Sequence, residues 1–173
     1  TNGEGIYPTP AIGGVGLIKD LSNVKTLSLK EDGNFLCVVG KTANHLGNSK
    51  YISIIQSKEE GGTPEINLDT ELRNGNFVMD AINQKLIASA HDVGEGGILV
   101  AISEMCMSGN LGILIENESD FPHGYFFAED QSRYLLEVSP NNYDECQKLA
   151  KNNDVHFEKI GIVGGDKISI KNI

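Results

Sequence analysis

Blocks of apolar residues separated by polar turns run along the chain and predict several short strands. Residues 35–39, Phe-Leu-Cys-Val-Val, are an unbroken apolar run of strand length, which indicates a strand buried on both faces. Residues 24–29 alternate between apolar and polar side chains, as a half-buried strand does, and a turn over residues 30–34 follows. Further strands are predicted at residues 87–90, 111–115 and 133–138, and as two strands within residues 158–170 that flank a turn at residues 164–166.

Apolar residues at helical spacing predict three longer helices, and residues 49–56 predict a short one. The first long helix begins at Asp69, with Leu72, Met79, Ile82 and Leu86 expected on its buried face. The buried positions expected for the second and third helices are Ile98, Ala101, Ile102 and Met105, and Tyr143, Cys146, Leu149 and Ala150. Because helices and strands alternate, the sequence predicts an α/β (α+β) fold in which helices cover a mixed β-sheet.

The chain divides into a short N-terminal segment and one domain. Residues 1–20 are rich in glycine and proline, and Pro8 and Pro10 block both a helix and a central strand, so an extended segment is expected. Residues 21–173 are then expected to form a single α/β domain. Because the first segment resembles a piece that packs on something else, we expect the chain to be part of a larger protein.

Charge and cysteine content reduce the number of functional classes to which the chain could belong. The 173 residues carry a formal charge of −10, which disfavours binding to nucleic acid or to an anionic membrane. No apolar run approaches the roughly 18 residues that a membrane helix needs. The three cysteines, Cys37, Cys106 and Cys146, form no CxxC pair and sit among apolar neighbours, so reduced core residues in a cytoplasmic protein are expected.

The loop over residues 91–97, His-Asp-Val-Gly-Glu-Gly-Gly, is one candidate site. A buried strand that runs through glycines into a helix presents backbone N–H groups and a helix N-terminus, where anions bind. Asp92 and Glu95 would repel bare phosphate, so a functional loop requires Mg²⁺ between carboxylate and phosphate. The alternative is a glycine-rich turn whose carboxylates cap the following helix.

Residues 126–133, Phe-Phe-Ala-Glu-Asp-Gln-Ser-Arg, are the second candidate, because they place a dense polar cluster before an apolar strand. Ser132 and Arg133 could contact an anion and Gln131 an amide. The alternative is an internally paired loop in which Arg133 neutralises Glu129 or Asp130.

Five stretches of the chain together carry a pattern that none carries alone. They are residues 5–18 (Gly-Ile-Tyr-Pro-Thr-Pro-Ala-Ile-Gly-Gly-Val-Gly-Leu-Ile), 46–51 (Leu-Gly-Asn-Ser-Lys-Tyr), 64–71 (Pro-Glu-Ile-Asn-Leu-Asp-Thr-Glu), 89–97 (Ser-Ala-His-Asp-Val-Gly-Glu-Gly-Gly) and 126–133. In this order and spacing they resemble the synthetase subunit of phosphoribosylformylglycinamidine synthase, in the C-terminal domain of its second half, which is of the aminoimidazole-ribonucleotide-synthetase type.

This resemblance implies a part in an ATP-dependent carbon–nitrogen ligase of purine biosynthesis. The family converts formylglycinamide ribonucleotide, ATP and glutamine-derived ammonia to formylglycinamidine ribonucleotide, ADP and phosphate, with Mg²⁺. The resemblance also implies that this is the terminal domain of a longer chain. The implied partners are the remaining domains of the same chain and a glutaminase subunit or domain. The family's catalytic histidines lie in the first half, so no catalytic residue is expected here and the fragment is expected to be inactive alone.

The resemblance also implies ligand residues for an auxiliary nucleotide and magnesium site. By the pseudo-symmetry of the two halves, Asp92 is expected to bind the metal. The expected contacts to ATP or ADP are Gly94, Gly96, Gly97, Glu129, Asp130, Gln131 and Arg133.

The chain departs from the family pattern at three polar positions. Gly94-Glu95 replaces the usual Ser-Asp, Lys50 reverses the charge of a glutamate, and Asp130 replaces a serine. Two alternatives therefore stay open. The chain could belong to another ATP-using member of the superfamily, such as aminoimidazole ribonucleotide synthetase or selenophosphate synthetase, or it could be a structural domain with a degenerate nucleotide site.

Overall fold

The computed structural model describes residues 11–58, 60–116 and 119–171. Its strands are β1 (Phe35–Val39), β2 (Ile87–Asp92), β3 (Ile113–Glu116), β4 (Tyr134–Val138), β5 (Phe157–Val163) and β6 (Ile168–Lys171). Its α-helices are α1 (Lys50–Gln56), α2 (Leu68–Asn83), α3 (Gly97–Gly109), α4 (Pro122–Phe127) and α5 (Tyr143–Asn152), and Leu21–Asn23 is a 3₁₀ turn. The predicted alternation of helices and strands is confirmed.

The six strands form one mixed sheet in the order β2-β4-β1-β5-β3-β6. Only the β3–β6 pair is parallel among the described strands, and every other neighbouring pair is antiparallel. The two strands predicted at the end of the chain are present, but β3 lies between them. The predicted fold class, a mixed sheet covered by helices, is confirmed.

Helices cover both faces of the sheet, and β1 lies between the two layers. Leu36 and Val38 of β1 pack into a core formed with α3 and α4, while Cys37 and Val39 pack into a second core formed with α2 and α5. All four side chains are at most 2% exposed, so the prediction of a strand buried on both faces is confirmed.

Helix α2 forms where the sequence predicts it, but only half of the predicted buried face is confirmed. Ile82 and Leu86 pack in or against the core as predicted, and Leu72 and Met79 do not. Leu72 and Met79 are 66% and 57% exposed, whereas the buried residues of the helix are Asn74, Phe77, Val78 and Ala81. The physical reason is the polar residue on the buried face, since the Asn74 side-chain amide donates to the Ser132 carbonyl oxygen at 2.8 Å. The spacing of apolar residues could not reveal this buried face, because one of its positions is the polar Asn74.

Two further local predictions differ from the structure. Residues 24–29 form no strand, because their hydrogen bonds go to two different elements: the Leu29 amide donates to Met105 of α3, and the Thr26 carbonyl accepts from Ala90 of β2. Helix α4, with Pro122 in its first turn, lies between the strands predicted at residues 111–115 and 133–138, where the sequence predicts no helix.

A buried carboxylate fixes the segment that precedes β1. Glu137 of β4 is 0% exposed, and its two oxygens accept hydrogen bonds from the Lys30 and Glu31 amides, the Asn34 side-chain amide and the Ser89 hydroxyl, at 2.8–3.0 Å. Buried polar groups are stabilising only when they are hydrogen-bonded, and this one holds donors from residues 30–34 and from β2.

All three cysteines are free and buried, as predicted for reduced core residues. Burial raises the pKa of the Cys37 and Cys106 thiols, and it raises the pKa of Cys146 to about 11. Thiols of this kind are unreactive because the thiolate is the nucleophile.

The N-terminal segment has no helix or strand over residues 11–20, and its side chains are exposed. The extended path predicted at Pro8 and Pro10 lies outside the described residues. The division into residues 1–20 and 21–173 stays a prediction. Within the described part of the chain, no helix is both long and apolar enough to cross a membrane.

Candidate functional site

Asp92 is the last residue of β2 and lies at the carboxyl end of that strand. Its side chain is 77% exposed, and its carboxylate lies 3.4 Å from Nδ1 of His91, whose Nε2 is 2.8 Å from the Glu104 carboxylate. Asp92 also lies opposite Tyr134 in the sheet. Burial raises the pKa of Tyr134, and the nearby carboxylates of Glu71 and Asp92 add to that rise.

The glycines at the start of α3 are required by backbone packing. Gly96 and Gly97 have φ angles of 84° and 75°, in the left-handed region that favours glycine. A Cβ at Gly97 would lie 2.6 Å from the Ala128 carbonyl oxygen and 2.7 Å from that of Phe126. Gly94 differs, because a Cβ there would meet nothing within 4 Å.

A single carboxylate joins the beginnings of α1 and α3. Glu129 Oε1 accepts from the Gly96 amide at 2.9 Å and from the Lys50 amide at 2.8 Å. A negative charge is favourable at helix N-termini, because the first amides have no partner within the helix. The Gly96 amide, one of the groups predicted to face a phosphate, is therefore bonded to the protein's own carboxylate in this structure.

Asp130 and Arg133 are directed into the protein. Asp130 is 7% exposed and accepts from the Ala43 amide, and Arg133 is 2% exposed. The Arg133 guanidinium donates to the carbonyl oxygens of Ala128 and Asp130 and to the Thr42 hydroxyl, at 2.6–3.2 Å. Burial lowers the pKa of Arg133, and Asp130 opposes that shift. Both side chains are thus bonded within the protein, as the alternative of an internally paired loop expects, but the hydrogen bonds of Arg133 go to carbonyl oxygens and a hydroxyl rather than to the carboxylates of Glu129 or Asp130.

The two stretches singled out in the sequence share one hollow. A cavity of about 260 Å³ is lined by Val93, Gly94 and Glu95 on one side and by Glu129 and Gln131 on another. Gln131 is exposed, so its amide is accessible to a ligand. Asp92 precedes this lining by one residue and is not part of it.

Two of the departures from the family pattern contact each other. Lys50 Nζ lies 3.6 Å from Glu95 Oε2, and both side chains are more than half exposed. They line a smaller cavity of about 150 Å³ together with Glu129. The reversed charge at Lys50 is thus balanced across the cleft by the carboxylate at Glu95.

The donor set at Asp92 fits only one mode of magnesium binding. Among the described residues there is no group of three or more His, Cys, Asp or Glu side chains that could hold a metal ion. Mg²⁺ commonly keeps several waters and binds through one or two carboxylates plus ligand phosphates. The single exposed carboxylate of Asp92 is compatible with that mode. It is not compatible with a site in which protein side chains supply every ligand.

The fold and this cleft define a class of domain: a mixed α/β sheet with a polar hollow between a glycine-rich helix start and an acidic loop. The chain belongs to the family described as AIR synthase related protein, C-terminal domain, which matches residues 31–171. The predicted resemblance to a domain of this type is confirmed.

The chain is similar over its whole length to part of longer proteins. It is 44% identical to phosphoribosylformylglycinamidine synthase subunit PurL of Pelagibacter ubique over 172 residues, which are 98% of this chain and 24% of that protein. It is also 44% identical to the protein of the same name from Azorhizobium caulinodans, covering 99% of this chain and 24% of that protein. The chain thus spans about a quarter of the length of these relatives.

Solved structures share the fold at low identity. Thermotoga maritima PurL complexed with ATP has a TM-score of 0.70 and 18% identity, covering 88% of this chain and 26% of that one. The same protein complexed with FGAR has a TM-score of 0.72 and 16% identity, covering 88% and 28%. Thiamine-monophosphate kinase from Stenotrophomonas maltophilia has a TM-score of 0.63 and 14% identity, covering 85% and 52%.

Two contacts were not predicted from the sequence, that of the Lys50 amide at the start of α1 and those of the buried Glu137. The only signal for Glu137 was a carboxylate inside the apolar run of β4, and its donors lie more than 40 residues away in sequence. For α1, Ser49 was a visible signal: its side chain accepts from the Ile52 amide as an N-cap, which places the Lys50 amide at the helix start.

Proposed function

We propose that this chain is the C-terminal domain of the second half of the synthetase subunit of phosphoribosylformylglycinamidine synthase. In that role it is part of an ATP-dependent carbon–nitrogen ligase, which converts formylglycinamide ribonucleotide, ATP and glutamine-derived ammonia to formylglycinamidine ribonucleotide, ADP and phosphate. The observation that carries this proposal is the 44% identity to relatives of that name over 98% of the chain.

The same proposal implies partners and a cellular compartment for the domain. Its partners are the remaining domains of a longer synthetase chain and a glutaminase subunit or domain, and the name "subunit" of the relatives supports an assembly. The enzyme is cytoplasmic, which agrees with three reduced, buried cysteines. With the catalytic residues elsewhere, the domain is inactive by itself.

Within the domain, we propose that the cleft beside Asp92 takes the phosphates of ATP or ADP with Mg²⁺. Asp92 holds the ion together with the phosphates, the exposed Gln131 amide contacts the nucleotide, and Gly94 lets the ligand approach the backbone. Glu129 positions the starts of α1 and α3 at the same cleft through its two amide contacts. Bound Mg²⁺ supplies charge neutralisation between carboxylate and phosphate.

A structural domain with a degenerate site is the second candidate, and one observation favours it. The Gly96 amide and the Lys50 amide, the groups best placed to receive a phosphate, are occupied by Glu129. Membership of another ATP-using family, such as that of thiamine-monophosphate kinase, is less favoured, because the kinase structure shares only the fold at 14% identity, whereas the PurL relatives are 44% identical.

Exchange of Asp92 for asparagine separates these candidates. We expect Asp92→Asn to weaken Mg²⁺-dependent binding of ADP by about tenfold or more, because the charge that faces the ion is lost. The free energy of unfolding should change by less than about 0.5 kcal/mol, because the side chain is exposed. Isothermal calorimetry with Mg·ADP and with ADP alone measures the first effect.

The matched control is Glu145→Gln, which removes an exposed carboxylate on α5 that is not part of the cleft lining. It should leave the affinity for Mg·ADP unchanged. No binding heat at millimolar Mg·ADP for the unaltered chain would favour the degenerate site, and equal affinity in Asp92→Asn would refute the metal role of Asp92.

A further inference from the structure

A second cavity, apart from the cleft described above, lies between α2, α5 and the carboxyl end of β1. Its volume is about 450 Å³, within the range of small-molecule sites. Its charged lining consists of Lys41, Arg73, Lys151 and Asp154, with His156 beside them. Gln131 borders both cavities, and the other residues named here border only this one.

The charge of this cavity is opposite to that of the chain. The formal charge of the chain is −10, with 14 lysines and arginines in all. Three of these cations line this one cavity, together with a single carboxylate. The three come from separate elements, the end of β1, the first turns of α2 and the last turn of α5. Cations that converge from separate elements create a local positive potential that attracts anions.

Arg73 supplies a donor that the protein does not use. Its Nη1 lies 3.6 Å from the Asp154 carboxylate, which is 95% exposed, and its Nη2 donates weakly to the Thr70 hydroxyl at 3.4 Å. Within the described residues, the Arg73 Nε–H is buried and has no hydrogen-bond partner. Native proteins seldom leave such a donor unpaired. The Arg73 side chain is 40% exposed, so a ligand in the cavity can reach the accessible part of its guanidinium.

The remaining polar groups of the cavity do not neutralise it. His156 Nε2 lies 3.3 Å from the Glu158 carboxylate, which is directed at the histidine. Asn74 is committed to the Ser132 carbonyl oxygen. An anion in the cavity would therefore meet one guanidinium and two ammonium groups, with Asp154 as the one opposing charge in the lining.

We propose that this cavity binds a small phosphate-bearing molecule, with Arg73 as the main contact and Lys41 and Lys151 as supporting charges. Phosphate fits better than a monocarboxylate, because its multiple oxygens and higher charge match three cations and a planar donor fork. This site shares Gln131 with the proposed nucleotide cleft, but its three cations are not part of the cleft lining, so the proposal does not rest on nucleotide binding there.

The test is a titration of the whole chain with inorganic phosphate at constant ionic strength, followed by amide NMR. We expect saturable shifts that concentrate at Gly40, Arg73 and His156, while chloride at the same ionic strength gives none. Arg73→Gln should raise the dissociation constant by about tenfold or more, because it removes a charged hydrogen bond to phosphate. Lys151→Gln should raise it by a smaller factor.

The matched control is Lys148→Gln, one turn earlier on α5, whose side chain is 70% exposed and paired with Glu145. It should change the dissociation constant by less than about twofold. Shifts that spread over the surface lysines, or equal weakening by Lys148→Gln and Arg73→Gln, would overturn the proposal as diffuse charge. If Arg73→Gln does not fold, the dissociation constants of Lys151→Gln and Lys148→Gln are compared in the same way.

Discussion

Replacement of Glu137 by alanine is expected to lower the free energy of unfolding by about 3–5 kcal/mol. The change leaves the amides of Lys30 and Glu31, the Asn34 side chain and the Ser89 hydroxyl without their buried acceptor. The free energy of unfolding of a typical domain is about 5–15 kcal/mol, so such a loss is a large share of it. Urea unfolding followed by circular dichroism measures it.

Glu158→Ala is the control, because it removes a carboxylate from the neighbouring part of the same sheet. Glu158 is exposed and pairs with His156 at 3.3 Å, so its loss should cost less than about 1 kcal/mol. A cost below about 1 kcal/mol for Glu137→Ala as well would show that water replaces the carboxylate and that Glu137 does not fix residues 30–34.

Gly97→Ala is expected to lower the free energy of unfolding by about 3 kcal/mol. The φ angle of 75° costs a residue with a Cβ about 1–2 kcal/mol, and the new methyl group meets backbone oxygens of Phe126 and Ala128 that cannot move freely. The prediction concerns packing of α3 against α4, and it needs no ligand. Thermal or urea unfolding of the ligand-free chain provides the value.

Gly94→Ala is the matched control in the same loop, since a Cβ there meets nothing within 4 Å. We expect a change of less than about 0.5 kcal/mol. If the two variants lost equal stability, the close approach of α3 to residues 126–128 would be wrong. If only Gly94→Ala weakened nucleotide binding, the two glycines would have separate roles, one for the ligand and one for the fold.

Elements with a continuous or regular apolar signal could be predicted from the sequence. β1 is an unbroken apolar run, and α3 has its buried residues Ile98, Ala101, Ile102 and Met105 at helical spacing before the Gly109-Asn110 end. In both cases burial and local propensity agree, so tertiary contacts add nothing that changes the prediction.

The features that escaped prediction depend on polar contacts between distant parts of the chain. Asn74 marks the buried face of α2 only because Ser132 supplies a carbonyl oxygen 58 residues later. Residues 24–29 alternate like a strand, but their partners are α3 and β2 rather than one neighbouring strand. Periodicity reports local spacing and holds no information on such partners.

The candidate site shows the same division. The sequence located the loop at Asp92 and the cluster at Glu129, and the structure places residues from both around one cavity. It could not show that Glu129 would bond to two helix starts 46 residues apart, or that Arg133 would be buried, because both depend on the path of the whole chain. Of the predicted ligand residues, those that are exposed are Asp92, Gly94 and Gln131.

The central claim is that the cleft between the Asp92 loop and the Glu129 cluster holds a divalent cation with a nucleotide. Its most direct test is amide NMR of the chain with Mn²⁺ in place of Mg²⁺, with and without ADP. Paramagnetic broadening should appear at Asp92, Gly94 and Gln131 only when ADP is present. Broadening confined to other acidic surfaces, or equal broadening without ADP, would contradict the claim.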